Sequence, residues 1–137
     1  MTQKKTYSLK NIGEISEFLF QKLKNGGVLT LTGDLGAGKT TLAKEIGKSL
    51  QIDEKEIKSP TYTYLRRYPE KKFFHADLYR IKNEDQIAIF EIIELLENPK
   101  NIIIIEWPEI LEEILPENTI KAKIRILDEH KREIEIT

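Results

Sequence analysis

Lys39 and Thr40 close the stretch Gly33-Asp34-Leu35-Gly36-Ala37-Gly38-Lys39-Thr40, which fits the spacing G-x-x-x-x-G-K-[ST] at every fixed position. This spacing binds polyphosphate through backbone geometry. Glycines let the chain fold tightly, so its N–H groups point inward at phosphate oxygens. The lysine adds a point charge near the β- and γ-phosphates, and the neighbouring hydroxyl can ligate Mg²⁺. Every residue from Gly33 to Thr41 is thus a candidate contact for a bound nucleotide. The alternative is a chance match to a short pattern.

A phosphate loop needs a carboxylate near its cation, usually at the end of a neighbouring buried strand. Ile102-Ile103-Ile104-Ile105-Glu106 has that form, and it places Glu106 at the carboxyl edge, where open α/β sheets bind ligands. The alternative is a solvated glutamate at a strand end. Asp77 closes Phe73-Phe74-His75-Ala76-Asp77 in the same way. Its carboxylate suits a metal-bound water or the orientation of an attacking one, and equally suits a helix cap or turn. Catalytic candidates are therefore Asp77, Glu106 and Lys39, and metal candidates Thr40, Glu106 and Asp77.

His75 and His130 are the two histidines. His75 reads as a satisfied structural histidine or as a proton shuttle, and His130 as part of an exposed turn. Arg66-Arg67 and Lys71-Lys72 read as solvated charge or as a docking face for an acidic partner or RNA.

The elements that must position these residues are legible from periodicity. Val28–Thr32 is a short apolar, β-branched run, and residues 40–50 carry Leu42, Ala43, Ile46 and Leu50 at helical spacing, so the loop joins a strand to a helix. An anion there meets a helix N-terminus, where the dipole favours it. Upstream, Tyr7–Leu9 reads as a first strand. Asn11 reads as an N-cap with Glu14 as its capping-box partner, and Ile15, Phe18, Leu19 and Leu23 as one apolar helix face stopped by Gly26-Gly27. Downstream, residues 61–77 read as an antiparallel hairpin turning at Pro69-Glu70-Lys71-Lys72. A helix runs from an Asn83 cap to about Glu97. Ile102–Ile105 is a strand buried on both faces, and Glu109–Ile114 makes one or two helical turns. A second hairpin around Asp128-Glu129-His130 joins Ile120–Ile126 to the strand holding Ile134 and Ile136. The order implies one α/β domain over residues 1–137. It is a phosphate-loop NTPase-type three-layer fold, with a mixed, partly parallel sheet extended by antiparallel hairpins.

Composition sets the outer bounds. The 137 residues allow a single core, and 22 basic against 23 acidic residues give a formal net charge of −1. No global basic field is available to hold nucleic acid unaided. The chain has no cysteine, so no disulfide and no thiolate metal site. The segment Met1–Tyr7 lacks an apolar signal-peptide region, and Ile102–Ile105 is far too short to span a membrane. The expected setting is cytoplasmic, with no membrane partner.

Several segments together resemble one family, TsaE (also called YjeE), the small bacterial ATPases of tRNA threonylcarbamoyladenosine synthesis. They are Gly33–Thr41, Ser59-Pro60-Thr61-Tyr62-Thr63, His75-Ala76-Asp77-Leu78-Tyr79-Arg80, Ile105-Glu106-Trp107-Pro108 and Leu115-Pro116, in the family's order over nearly the whole chain. The resemblance implies ATP and Mg²⁺ as cofactors. Lys39 resembles the family's phosphate-binding lysine, Thr40 and Glu106 its Mg²⁺ ligands, and Asp77 the acidic residue needed for hydrolysis. Thr61 falls in a segment that behaves like a switch loop. Trp107 resembles a tryptophan close to the active site, and Arg132 an arginine that approaches the nucleotide. The chain departs from the family in lacking the glycine common near Ala88–Phe90. The resemblance further implies partnership with the TsaB and TsaD proteins, with tRNA held indirectly through that complex and ATP hydrolysis supporting repeated threonylcarbamoyl transfer. Two other functions fit a phosphate loop: a small-molecule kinase and a non-catalytic nucleotide-sensing module. Kinases usually carry a mobile lid, for which no long insertion is present. Two candidate acidic residues weigh against a sensor without chemistry.

Overall fold

The computed structural model describes residues 2–53 and 64–137. Among them the order is β1 (Gln3–Tyr7), α1 (Ile12–Leu23), β2 (Gly27–Thr32), α2 (Lys39–Ser49), β3 (Leu65–Tyr68), β4 (Phe73–Asp77), α3 (Gln86–Leu96), β5 (Ile102–Glu106), β6 (Ile120–Ile126) and β7 (Arg132–Ile136). The strands form one sheet in the order β1-β7-β6-β2-β5-β4-β3. Its centre is parallel: β6, β2, β5 and β4 run the same way. Antiparallel pairs extend both edges, β3 on β4 at one side and β7 and β1 beyond β6 at the other. This is the three-layer α/β arrangement with a mixed sheet that the sequence implies.

The run of isoleucines in β5 shows how the layers arise. Successive strand side chains face opposite ways. Ile102 and Ile104 therefore join Leu29, Leu31, Leu42 and Ile46 in a core under α1 and α2. Ile103 and Ile105 join Val28, Phe74, Ala76 and Ile92 in a second core under α3. All four isoleucines are at most 2% exposed, and each buried side chain stabilises the fold by about 1.5–3 kcal/mol. A strand covered on both faces has no polar alternation. In β6 the alternation returns, since Ala122 and Ile124 face the first core and Lys121, Lys123 and Arg125 face solvent.

Three local expectations are corrected. The first strand is Gln3–Tyr7, and Leu9–Asn11 form a 3₁₀ turn. β1 is an edge strand paired with β7, and of its residues Tyr7 alone is buried, so its pattern carries no apolar signal. Asn11 makes no side-chain cap on α1. Its Oδ1 instead accepts from the Ser8 amide at 2.6 Å and the Ser8 hydroxyl at 3.0 Å, closing the preceding turn. The third helix begins at Gln86, not after Asn83. Asp85 precedes it, its carboxylate accepting from the Lys82 amide at 2.8 Å. Through Ala88–Phe90, where the expected glycine is missing, the helix is continuous. The hairpin lies at Leu65–Asp77, turning through Pro69–Lys71. Ser59–Thr63, including Thr61, lie outside the described residues.

Candidate functional site

The strands β2, β5 and β4 end together at one edge of the sheet, and α2 starts there. Gly33 leaves β2 with φ 145°, a conformation that side chains rarely adopt. A Cβ on Gly33 would also collide with the Ile124 carbonyl oxygen, so glycine is required twice over. The loop closes with the Ala37 amide donating to the Asp34 carbonyl at 3.0 Å. Gly38, at φ 101°, is the N-cap of α2. The amides of Lys39, Thr40 and Thr41 lie in the first turn, where no intrahelical acceptor exists. They are free to meet an anion at the positive end of the helix.

Lys39 is buried, and its Nζ donates to the Gly33 and Asp34 carbonyls at 2.7 and 2.9 Å. The ammonium also lies 4.5 Å from the centre of the Trp107 ring, within cation–π range. Burial pushes its pKa below the ordinary lysine range. The carboxylates of Glu106, Asp77, Asp34 and Glu109 pull it back up.

The Thr40 hydroxyl stands 2.9 Å from both Glu106 carboxylate oxygens. Glu106 is only 2% exposed. On its other side His75 Nε2 lies 2.6 Å from Glu106 Oε2. Asp77 pairs with Glu106 across the parallel strands. The Leu78 amide donates to the Glu106 carbonyl at 3.0 Å, holding the two strand ends together. Asp77 Oδ1 accepts from the Tyr79 amide at 3.0 Å, an Asx turn that starts the loop beyond β4. Burial raises the Asp77 pKa and the Glu106 charge raises it further, against lowering by the Tyr79 amide, His75 and Lys39.

Trp107 follows Glu106 with φ 56°, so the chain leaves the extended conformation at once. Strict alternation would send its ring away from the Glu106 carboxylate. The left-handed residue instead brings it over Lys39, where it packs on Tyr79 with ring centres 4.9 Å apart. A pocket of about 290 Å³ on this side of the loop is lined by Lys39, Thr40, Asp77, Tyr79, Glu106 and Trp107 together with loop residues. On the other side, a larger pocket of about 610 Å³ lies between the loop, the Tyr7–Lys10 segment and the turn Glu129–Arg132. Gly36, Gly38 and Thr41 line both pockets.

Lys39, Thr40, Asp77, Glu106 and Trp107 are thus brought into one cavity. Arg132 lines the larger pocket on the other side of the loop. Its Nε donates to the Ala37 carbonyl at 3.1 Å and its Nη1 to the carbonyls of Asp128 and Lys131, so it braces the loop from the C-terminal hairpin. Sequence reading did not single out Tyr79 or the Tyr7–Lys10 wall. It weighed His75 without placing it on Glu106. The signal for His75 was its position two residues before Asp77, which puts both on one face of β4.

This donor set suits a hard cation that keeps water and phosphate oxygens in its shell. Among the described residues, no group of three or more His, Cys, Asp or Glu could cage a metal alone. Mg²⁺ characteristically binds through one or two carboxylates plus substrate phosphates. Also among the described residues, no helix is long and apolar enough to cross a membrane.

Comparisons with known proteins agree on one family. The sequence profile described as Threonylcarbamoyl adenosine biosynthesis protein TsaE matches residues 6–134. A protein named tRNA threonylcarbamoyladenosine biosynthesis protein TsaE from Rickettsia felis is 38% identical over 121 residues, 87% of this chain and 70% of its own. Its namesake from Nostoc is 40% identical over 126 residues, covering 87% and 75%. That from Bacillus subtilis is 34% identical over 117 residues, covering 83% and 71%. A crystal structure of Bacillus subtilis YdiB superposes with a TM-score of 0.72 at 26% identity, covering 99% of this chain and 86% of the other.

Proposed function

The chain belongs to the TsaE family and so takes part in tRNA threonylcarbamoyladenosine biosynthesis, and from that premise we propose that it is an ATP-binding and ATP-hydrolysing subunit. It acts with the TsaB and TsaD proteins, and tRNA is held by that complex. The observation that carries this reading is the meeting of the Thr40 hydroxyl with Glu106 at 2.9 Å, at the mouth of a glycine-rich loop that opens a helix.

Each residue has work that follows from its place. The loop amides and the first turn of α2 hold the phosphates. Lys39 exchanges its two carbonyl partners for phosphate oxygens, and Trp107 limits where its ammonium goes. Thr40 and Glu106 hold the cation. When bound, Mg²⁺ offsets charge on the phosphate oxygens during transfer to water. Asp77, level with Glu106 on the next strand, orients the attacking water or accepts its proton. The larger pocket, sharing Gly36, Gly38 and Thr41 with the smaller one, is the seat for the nucleoside. Arg132 keeps the loop between them in shape.

Arg132 is engaged by the Ala37, Asp128 and Lys131 carbonyls beside the larger pocket. A mobile arginine is worth about 10³–10⁵ in rate where one serves phosphoryl transfer. Partner docking supplies positioning of this kind, and the isolated chain is a weak ATPase. Calorimetric titration with ATP, ADP and GTP tests the binding, and phosphate release with and without TsaB and TsaD tests the chemistry. Micromolar or tighter MgATP binding with partner-stimulated release is expected. Absence of nucleotide binding would sink the reading.

A further inference from the structure

The described pockets and exposed apolar side chains either belong to the nucleotide reading or carry nothing that names an occupant. One buried contact remains unused: His75 against Glu106. The two side chains are 2% and 3% exposed, and Nε2 lies 2.6 Å from Oε2. Their placement follows from the register. His75 pairs with Ile104 across β4 and β5, and Asp77 pairs with Glu106. On the face of the sheet covered by α1 and α2, the imidazole therefore sits one row deeper than the two carboxylates.

Glu106 depends on few donors. The single Thr40 hydroxyl proton is shared between Oε1 and Oε2, and His75 Nε2 lies beside Oε2. An ionised carboxylate only accepts, so a hydrogen bond here requires the proton on Nε2. Under the reading proposed above, on which this inference rests, the Thr40 hydroxyl turns toward the cation and its oxygen lone pairs act as ligand. It can then no longer hold Glu106 in the same way. His75 is the donor that stays, since it approaches from inside the core and away from the loop.

We propose that His75 is a positioning residue for the cation site: its Nε2–H fixes Oε2 of Glu106, so that Oε1 stays turned toward Thr40 and the cation held beside it. The carboxylate is thereby oriented before any cation arrives. Groups that orient a metal-holding side chain typically change metal affinity or activity by about 10–100-fold when removed. His75 touches neither phosphate nor cation and has no part in bond breaking.

The chemistry of amide side chains supplies the test. In glutamine the amide nitrogen falls near the Nε2 position of histidine, and in asparagine near Nδ1. His75→Gln keeps a donor for Glu106, whereas His75→Asn and His75→Phe do not. ATP affinity is measured by calorimetry with Mg²⁺ and with EDTA, after a thermal melt has shown that each variant folds. The expected result is unchanged affinity in EDTA for all of them. The tightening by Mg²⁺ falls by about 10–100-fold in the Asn and Phe variants and is largely restored in the Gln variant. A second measurement uses the unaltered chain. Long-range ¹H–¹⁵N correlation of the imidazole should show the proton on Nε2, and that nitrogen should shift when Mg²⁺ joins the ATP complex. Wild-type Mg²⁺ dependence in a folded donorless variant overturns the proposal, and so does an unprotonated Nε2. If the wild type binds ATP and these outcomes appear, the nucleotide reading stands while the role of His75 falls. If the wild type binds no ATP, both fall.

Discussion

Thr40 and Glu106 meet at 2.9 Å although they lie 66 positions apart in the chain. The first is placed by the opening turn of α2 and the second by the last residue of β5. Their contact joins the loop to the sheet edge through one hydroxyl. A cation binding there inserts into an existing polar contact, so the two ligands need little rearrangement to receive it.

Thr40→Ala should separate cation binding from nucleotide binding. The substitution removes the hydroxyl but leaves the amides of the first turn. ATP affinity in EDTA is expected to stay near wild type, while the gain given by Mg²⁺ drops by about tenfold or more. Thr40→Ser keeps the oxygen and should behave like wild type. A Mg²⁺ titration indistinguishable between the alanine variant and wild type would remove Thr40 from the cation site.

Lys39→Ala should weaken ATP by about 10–100-fold, the worth of one or two charge-assisted hydrogen bonds. The loop itself also loses a brace, because Lys39 donates to the Gly33 and Asp34 carbonyls. Lys39→Arg is not a conservative replacement here. A planar guanidinium would have to fit between those carbonyls and the Trp107 ring. Calorimetry on both variants checks this, and wild-type affinity in either would contradict the placement.

Much of the frame was legible because local signals and burial agree in the central strands. The loop motif located β2 and α2, and the isoleucine run located β5 with Glu106 at its end. β1 was misplaced because an edge strand paired to β7 buries little and keeps no alternation. The start of α3 was misplaced because Asn83 resembles a cap, while the Asp85 carboxylate, bonded to the Lys82 amide, sits at the helix start. The contact between His75 and Glu106 is a matter of register between β4 and β5, and register across a parallel sheet is not written in either strand alone. Trp107 was expected beside the site or at its mouth, and it lines the pocket there, but its contact with Lys39 was not foreseen. Its left-handed backbone, which no local residue preference announces, turns it over Lys39.

Asp77→Asn should oppose stability and activity to each other. Burial and the Glu106 charge raise the Asp77 pKa above its ordinary value. A raised folded-state pKa means that ionisation is disfavoured by folding. Its contribution to stability is fully present below the unfolded value near 3.8 and is lost as pH rises through the folded value. Asparagine removes that loss and can still accept from the Tyr79 amide through Oδ1. The variant should melt higher than wild type at pH 7, with the difference shrinking as pH falls toward 4. ATP hydrolysis in the presence of partners should be slower by about 100-fold, as for a lost acid–base group. A variant that is both less stable at pH 7 and fully active would contradict both assignments.

Trp107 offers a direct optical test, because it is the chain's one tryptophan. Its ring lies 4.5 Å from the Lys39 ammonium and 4.9 Å from the Tyr79 ring centre. A cation at that distance perturbs the indole, and its movement toward phosphate oxygens would change emission. ATP should therefore shift Trp107 fluorescence, and Lys39→Met should reduce the shift even at nucleotide concentrations that restore occupancy. The backbone allows a second test. Trp107 holds φ 56°, which costs a side-chain-bearing residue about 1–2 kcal/mol and costs glycine little. Trp107→Gly relieves that strain while Trp107→Ala keeps it. Both lose the same ring contacts, apart from a single methyl, so the glycine variant should melt higher than the alanine variant. Both should couple ATP binding to hydrolysis poorly, since neither restrains Lys39. Emission that stays flat through a saturating ATP titration, with full activity of the alanine variant, would place Trp107 outside the working site.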